Sequence, residues 1–178
     1  MLFNFQKITN NLIMHKYKNI YYFIDDFNKK ELIKLNKKIS LIYRNYRKGK
    51  KNKDLINIIN FCKRKQIKLF ISNNYKIALK YNLNGLYIPS FNKSLNFNNL
   101  LYKKNFKIIG SAHNISEIKI KEKQNCSEIF ISPLFKNKNN RKRLDVVKFN
   151  LIALKLKKKL IALGGINSNN LRKINLTK

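Results

Sequence analysis

The sequence is short of cysteine, of long apolar runs and of acid, and each shortage narrows what the chain can be. Its two cysteines, Cys62 and Cys126, lie far apart and in no C-x-x-C or Cys/His ligand spacing, which argues against a zinc site and for core thiols in a reducing compartment. No apolar run approaches the roughly 20 residues that span a bilayer, and Met1–Lys18 carries polar residues throughout. Neither a signal peptide nor a membrane helix is therefore expected, a membrane is set aside as partner, and the cytoplasm is the default location. Eight acidic residues stand against 40 Lys and Arg, giving a formal charge of +32.

That charge raises nucleic acid as a partner, because Lys and Arg release counterions from phosphate backbones. The pattern weakens the inference. Lysines fill nearly every polar stretch beside abundant Asn, Ile and Phe, which reads as a compositional bias on solvent-exposed positions rather than one binding face. The runs 47–53, 136–143 and 155–159 remain candidate patches, and positive potential also attracts a small phosphorylated substrate. An RNA-binding reading stays as a rival that requires the lysines to cluster.

What is present is a repeated alternation of short β-like apolar runs with helical patterns, over a length and 44% hydrophobic content that fit one domain. Expected strands are 19–24, 39–43, 68–72, 85–88, 107–110, 128–132 and 160–163. Expected helices follow them: one capped by Asn28 and running through Lys37 with Leu32, Ile33 and Leu35 inward, one at 53–65 burying Leu55, Ile56, Ile59 and Cys62, then 75–81, a short one near 97–103, 115–123 and 146–157. Pro89 bars the fourth strand from continuing. Such βα units favour an α/β architecture, a (β/α)₈ TIM barrel with a doubly wound open sheet as runner-up, and in both the ligands gather at the carboxyl ends of the strands.

The stretch Leu160-Ile161-Ala162-Leu163-Gly164-Gly165-Ile166-Asn167-Ser168 has the layout of a phosphate site: a buried strand, a paired-glycine turn whose N–H groups an anion can approach, and a helix start capped by Asn167 or Ser168. A tight αβ connection with no ligand is the competing reading. The other polar residues at strand ends include Asp25, Asp26, Arg44, Asn45, Asn73, Asn74, Ser90, Asn92, Ser111, His113, Asn140 and Arg141. They contain phosphate-binding chemistry, but no two well-separated catalytic carboxylates, no Ser-His-Asp order and no Walker loop. Asp25 and Asp26 are adjacent on a strand and so point to opposite sides, which suits helix capping or a lysine partner better than a shared metal.

From Ile67 onward, Leu69-Phe70-Ile71-Ser72-Asn73-Asn74, Ala78-Leu79, Gly85-Leu86-Tyr87-Ile88, Ile108 to Asn114, Ser132-Pro133-Leu134-Phe135, and Ala162 to Ile166 with Asn170 resemble, in order, the motifs of the thiamine phosphate synthase/TenI family of small (β/α)₈ barrels. The first 66 residues add Arg44. The resemblance implies thiamine biosynthesis: coupling of a pyrimidine pyrophosphate to thiazole phosphate, with magnesium assisting departure of pyrophosphate through a dissociative step. It also implies roles. Arg44 would meet the pyrophosphate, Asn73 the first-substrate side, Ser111 and His113 the catalytic centre, Asn140 and Arg141 the loop after strand six, and Gly164-Gly165 the thiazole phosphate.

Departures from the pattern leave alternatives. Two acidic magnesium positions of the synthases correspond to Asn74 and Asn92, and amides are poorer ligands for a hard dication; no metal residue is therefore assigned, and magnesium is a cofactor only if synthase activity is retained. The family's TenI-type thiazole tautomerases need neither metal nor pyrophosphate, and their proton transfer would fall to His113, the only histidine among the strand ends. A non-catalytic barrel remnant that binds a phosphorylated ligand is a further alternative. Nothing after Lys178 supplies the family's eighth strand, so the expectation is one domain over 1–178, with 1–18 as an N-terminal extension, forming a barrel that lacks strand eight. Truncation of a longer product is the preferred cause, with cover by 1–18 or a partner as the alternative.

Overall fold

The computed structural model describes residues 20–46, 52–97, 103–136, 143–167 and 169–174. Among them the elements run β1 (Ile20–Ile24), α1 (Lys29–Leu32), β2 (Ile39–Tyr43), α2 (Asn52–Lys65), β3 (Leu69–Ser72), α3 (Tyr75–Lys80), β4 (Gly85–Ile88), β5 (Lys107–Ala112), α4 (Ile115–Lys123), β6 (Glu128–Ile131), α5 (Asp145–Lys155), β7 (Lys159–Ala162) and α6 (Leu171–Ile174). They fall into two compact units, one within 20–88 and 103–107, the other within 89–97 and 108–174. The proposed extension 1–18, most of the expected helix near 97–103, and Asn140 and Arg141 lie outside the described residues.

In the first unit β1, β2, β3 and β4 pair in chain order and all in parallel, Ile20 opposite Ile39, Leu41 opposite Leu69 and Phe70 opposite Gly85. Strands covered on both faces read as continuous apolar runs, and Leu41, Ile42, Leu69, Phe70, Ile71, Leu86 and Ile88 are all buried. Aromatics share one face of this sheet: Tyr21 meets Phe70 edge-on at 5.8 Å between ring centroids, and Phe23 meets Tyr87 at 5.3 Å. In the second unit β5, β6 and β7 pair in parallel, with Ile109 opposite Glu128 and Ile129 opposite Leu160. Here β5 runs two residues further than its apolar pattern suggested, because Ser111 and Ala112 still pair with Phe130 and Ile131.

Two helices differ from their sequence patterns. The first was expected to reach Lys37 but ends at Leu32. Beyond it Lys34 N donates to Glu31 O and Leu35 N to Leu32 O, i→i−3 bonds of a tighter turn that brings the chain into β2 at Ile39. Three residues per turn keep Leu32 and Leu35 inside and rotate Ile33 out, to 55% exposure. On α2 the buried stripe is Leu55, Ile58, Ile59, Phe61 and Cys62, whereas Ile56 is only half-buried. Smaller shifts place the start of α5 at Asp145, whose carboxylate accepts from Lys148 N at 3.0 Å, and its end at Lys155.

Three helices end alike. After α2, α3 and α4 the chain passes through Gln66, Asn82 and Asn125 at φ of 55°, 52° and 57°. In each case the next residue, Ile67, Leu83 or Cys126, is buried and its N–H bonds back to Cys62 O, Ala78 O or Lys121 O. These are Schellman ends, with a side chain where glycine is usual. Burial pushes both thiols, Cys62 and Cys126, up to about 12, so they are free, neutral core groups.

Candidate functional site

At the carboxyl ends of β1, β2 and β3 the first unit gathers Asp25, Arg44, Tyr46, Ser72 and Asn73. Arg44 N continues the parallel ladder to Ile24 O at 2.8 Å, which fixes the start of its side chain. Its Nε lies 3.4 Å from Asp25 Oδ1, and its guanidinium sits over the Phe23 ring at 5.1 Å. Arginine, not the expected lysine, is thus the partner of Asp25. The pair is half-exposed, so it orients the guanidinium more than it stabilises the fold. Tyr46, absent from the candidate set, shares a 2.7 Å hydrogen bond with Ser72 Oγ, and burial raises its phenol above the ordinary value. Asn73 takes φ of 60°, with its N–H donating to Tyr87 O at 2.9 Å. A polar side chain that tolerates the left-handed region is what this turn out of β3 requires.

Asn74 and Asn92 are already engaged. Asn74 caps α3, its Oδ1 accepting from Ile77 N at 3.1 Å. Asn92 Oδ1 accepts from Ser94 N at 2.8 Å. Among the described residues no group of three His, Cys, Asp or Glu could hold a metal ion. Neutral amides committed to backbone N–H groups do not fit a magnesium site.

In the second unit Ser111 lies buried near the end of β5 and His113 follows it, 35% exposed at the side chain. Asn114 caps α4 through Glu117 N, and Glu117 reaches back so that Oε2 accepts from His113 N at 2.8 Å and meets His113 Nδ1 at 3.1 Å. The capping carboxylate therefore also holds the imidazole through Nδ1.

The glycine turn after β7 is built against the end of β6. Ser132 N bonds to Ala112 O, and the chain turns through a cis Ser132–Pro133 peptide so that Leu134 N reaches Leu163 O at 2.8 Å and Phe135 N reaches Gly164 O at 3.1 Å. Gly164 and Gly165 sit at φ of +86° and +72°. A Cβ on Gly164 would lie 2.8 Å from Ser132 Oγ, and one on Gly165 would meet the Phe135 carbonyl and lie 2.8 Å from Lys136 O. Close packing of backbone against backbone is thus one reason for both glycines. The other reason concerns donors: the N–H groups of Gly164, Gly165 and Ile166 meet no acceptor among the described residues. Successive free N–H groups on such a turn make an anion nest.

Asn170 clamps the nest. Its Nδ2 donates to Gly165 O at 2.7 Å and its Oδ1 accepts from Asn167 N at 2.9 Å, while Asn167 Oδ1 receives Asn169 N and Asn170 N. Asn167 is therefore a turn residue ahead of α6 rather than a simple cap, and α6 is described over only four residues, so the donors at this place are the turn's own N–H groups. Asn170 and Ser132 escaped the sequence search for site residues, although both stand in segments that carried the resemblance. Two open clefts of about 540 and 340 Å³ lie elsewhere in the first unit, the larger between α1 and α2.

Parallel βα units with polar strand ends and a glycine turn after the last described strand define an α/β protein of the barrel class. Residues 21–178 match the family described as thiamine monophosphate synthase, and the chain belongs to this family. It is 31% identical over 121 residues to the thiamine-phosphate synthase of Prochlorococcus marinus strain AS9601 and 31% identical over 120 residues to that of Prochlorococcus marinus strain SARG. Each match covers 66% of this chain but 34% of the relative, so the chain spans about a third of their length. A solved structure, the thiamine phosphate pyrophosphorylase from Pyrococcus furiosus, superposes with a TM-score of 0.65 at 16% identity, covering 90% of this chain and 82% of that one. That likeness shows the fold, an α/β barrel of the thiamine phosphate synthase type. No helix among the described residues is long and apolar enough to cross a membrane.

Proposed function

We propose that this chain binds thiazole phosphate at the Gly164–Gly165 turn and acts in thiamine biosynthesis as a thiamine-phosphate synthase, the activity named for its Prochlorococcus relatives. The carrying observation is the nest: three consecutive N–H groups without acceptors among the described residues, fixed by Asn170 and backed by the Phe135 carbonyl. A phosphate dianion takes three such donors without displacing any protein hydrogen bond. In the coupling reaction the bond to pyrophosphate breaks, its electron pair leaving on the pyrophosphate, and the thiazole takes the pyrimidine. Arg44 is assigned to the departing charge, oriented by Asp25 and Phe23. Asn74 and Asn92, their carboxamide oxygens committed to Ile77 N and Ser94 N, do not supply a metal site.

A second reading is favoured by the His113–Glu117 pair. Isomerisation of the thiazole phosphate needs only a proton taken from one ring position and returned to another. A histidine held by a carboxylate through Nδ1 can do both through Nε2. The test for both readings is calorimetric titration with thiazole phosphate, with and without magnesium, followed by product analysis with and without the pyrimidine pyrophosphate. Pyrophosphate release supports the synthase and conversion of thiazole phosphate alone supports the isomerase. Absence of binding would sink both.

A further inference from the structure

Lys121 of α4 and Gln124, which caps that helix, are each 0% exposed. Lysine is almost never fully buried unless paired. Among the described residues no carboxylate pairs with this one: its Nζ donates to Pro89 O, Asn92 O and Gln124 Oε1, all at 2.8 Å. An ammonium has three N–H donors and an amine only two, so three acceptors at one short distance describe a protonated group, fully coordinated by neutral oxygens. Burial lowers its pKa to about 8, and Glu117 on the same helix and the Cys126 thiol oppose that fall. Gln124 completes the arrangement by donating to Asn92 O at 2.9 Å and Ser94 O at 2.7 Å.

All of these acceptors except Gln124 Oε1 belong to the segment 89–94, which contains no helix or strand. Within and just beyond it Asn92 N bonds to Pro89 O, Ser94 N to Asn92 Oδ1, Asn96 N reaches Ser94 Oγ at 3.4 Å and Phe97 N bonds to Leu95 O at 2.8 Å, and the stretch ends in the buried ring of Phe97. We propose that Lys121 is a positioning residue, a tethered buried cation around which the loop from Pro89 to Phe97 folds, setting Ser90 and Asn92 at the carboxyl end of β4. The consequence for substrate rests on reading that strand end as part of the thiamine phosphate synthase site; the organisation of the loop by the ammonium does not.

The experiment is amide hydrogen exchange on the full chain, comparing loop amides 91–96 with those of β6 in the same sample. In Lys121→Met, which keeps the length and removes the charge, loop exchange is expected to rise about tenfold or more while β6 stays near wild type. In Lys121→Ala, which vacates the ammonium position, excess ammonium chloride is expected to restore protection and tetramethylammonium at equal ionic strength to leave it lost. If Lys121→Ala is unfolded without ammonium, circular dichroism with the two salts reads the same rescue. Wild-type loop protection in Lys121→Met, equal loss in loop and β6, or no difference between the two salts would each overturn the proposal. Titration of the wild type with thiazole phosphate separates the two readings: no binding there refutes the functional assignment and leaves the exchange result standing.

Discussion

Replacing Gly165 with alanine drives a methyl group onto the Phe135 carbonyl, 2.6 Å from its carbon and 2.8 Å from Lys136 O, at a residue whose φ is +72°. An L residue in the left-handed region costs about 1–2 kcal/mol. Displacing the backbone of Phe135 and Lys136 adds about 1–3 kcal/mol, as overpacking of a well-fitted interior does. The sum, about 2–5 kcal/mol, lowers the melting temperature by about 4–20 °C in a chain of this size. Gly164→Ala has the same conformational term, but its methyl meets Ser132 Oγ at 2.8 Å, a side-chain atom that can rotate, and Pro133 Cα at 3.0 Å. Its cost is therefore smaller, about 1–3 kcal/mol. Thermal unfolding followed by circular dichroism orders the two variants, and titration with thiazole phosphate should show weaker binding to Gly165→Ala, because its N–H groups move with the turn. A Gly165→Ala protein at least as stable as Gly164→Ala, with unchanged affinity, would refute the account of the turn.

Asn170→Ala removes two hydrogen bonds, so stability should fall by about 1–3 kcal/mol and affinity for thiazole phosphate should weaken. Wild-type affinity in that variant would show that the clamp is dispensable. Asn74→Asp keeps an equivalent helix cap, so it should leave the urea midpoint nearly unchanged, which urea unfolding of variant and wild type side by side checks. Lys121 contributes a pH dependence. Its folded pKa of about 8 lies below the value near 10.4 of the unfolded chain, so across that window the unfolded state binds more protons and stability rises with pH, by at most about 3 kcal/mol. Lys121→Met should lack the rise when urea midpoints are compared between pH 7.5 and 10. Cys62 and Cys126, both pushed up to about 12 by burial, should react with a thiol reagent at pH 8 only through unfolding, at rates that follow urea concentration.

Strand positions were legible because Leu69–Ser72, Gly85–Ile88 and Glu128–Ile131 are buried throughout, which leaves a continuous apolar run in the sequence. The glycine pair was legible as a turn, and its geometry added the second reason for it, close approach of Phe135 and Lys136. Lys121 was hidden by its type: in a chain with 40 Lys and Arg, one buried lysine has no local mark, and its partners lie about 30 positions away on a different loop. The end of α1 was hidden because a change from four-residue to three-residue hydrogen bonding depends on where β2 must begin, not on Ile33 or Leu35 themselves. Asn170 stood out as part of the glycine-turn motif, but that it holds the turn follows only from its two bonds there.

The helix ends at Gln66, Asn82 and Asn125 carry a lesson for reading this kind of sequence. With five glycines in 178 residues, the chain meets a purely torsional demand with an amide side chain, since asparagine tolerates the left-handed region at modest cost. What asparagine cannot meet is a steric demand, where another strand or loop already fills the place of a Cβ. Scarcity thus acts as a sieve: Gly85 and Gly165 stand where neighbouring backbone leaves no room, and Gly164 where the Ser132 hydroxyl and Pro133 crowd the place of a Cβ. In this glycine-poor chain the glycines at 85, 164 and 165 mark close approach of neighbouring chain segments, and two of the three form the turn proposed above to take an anion.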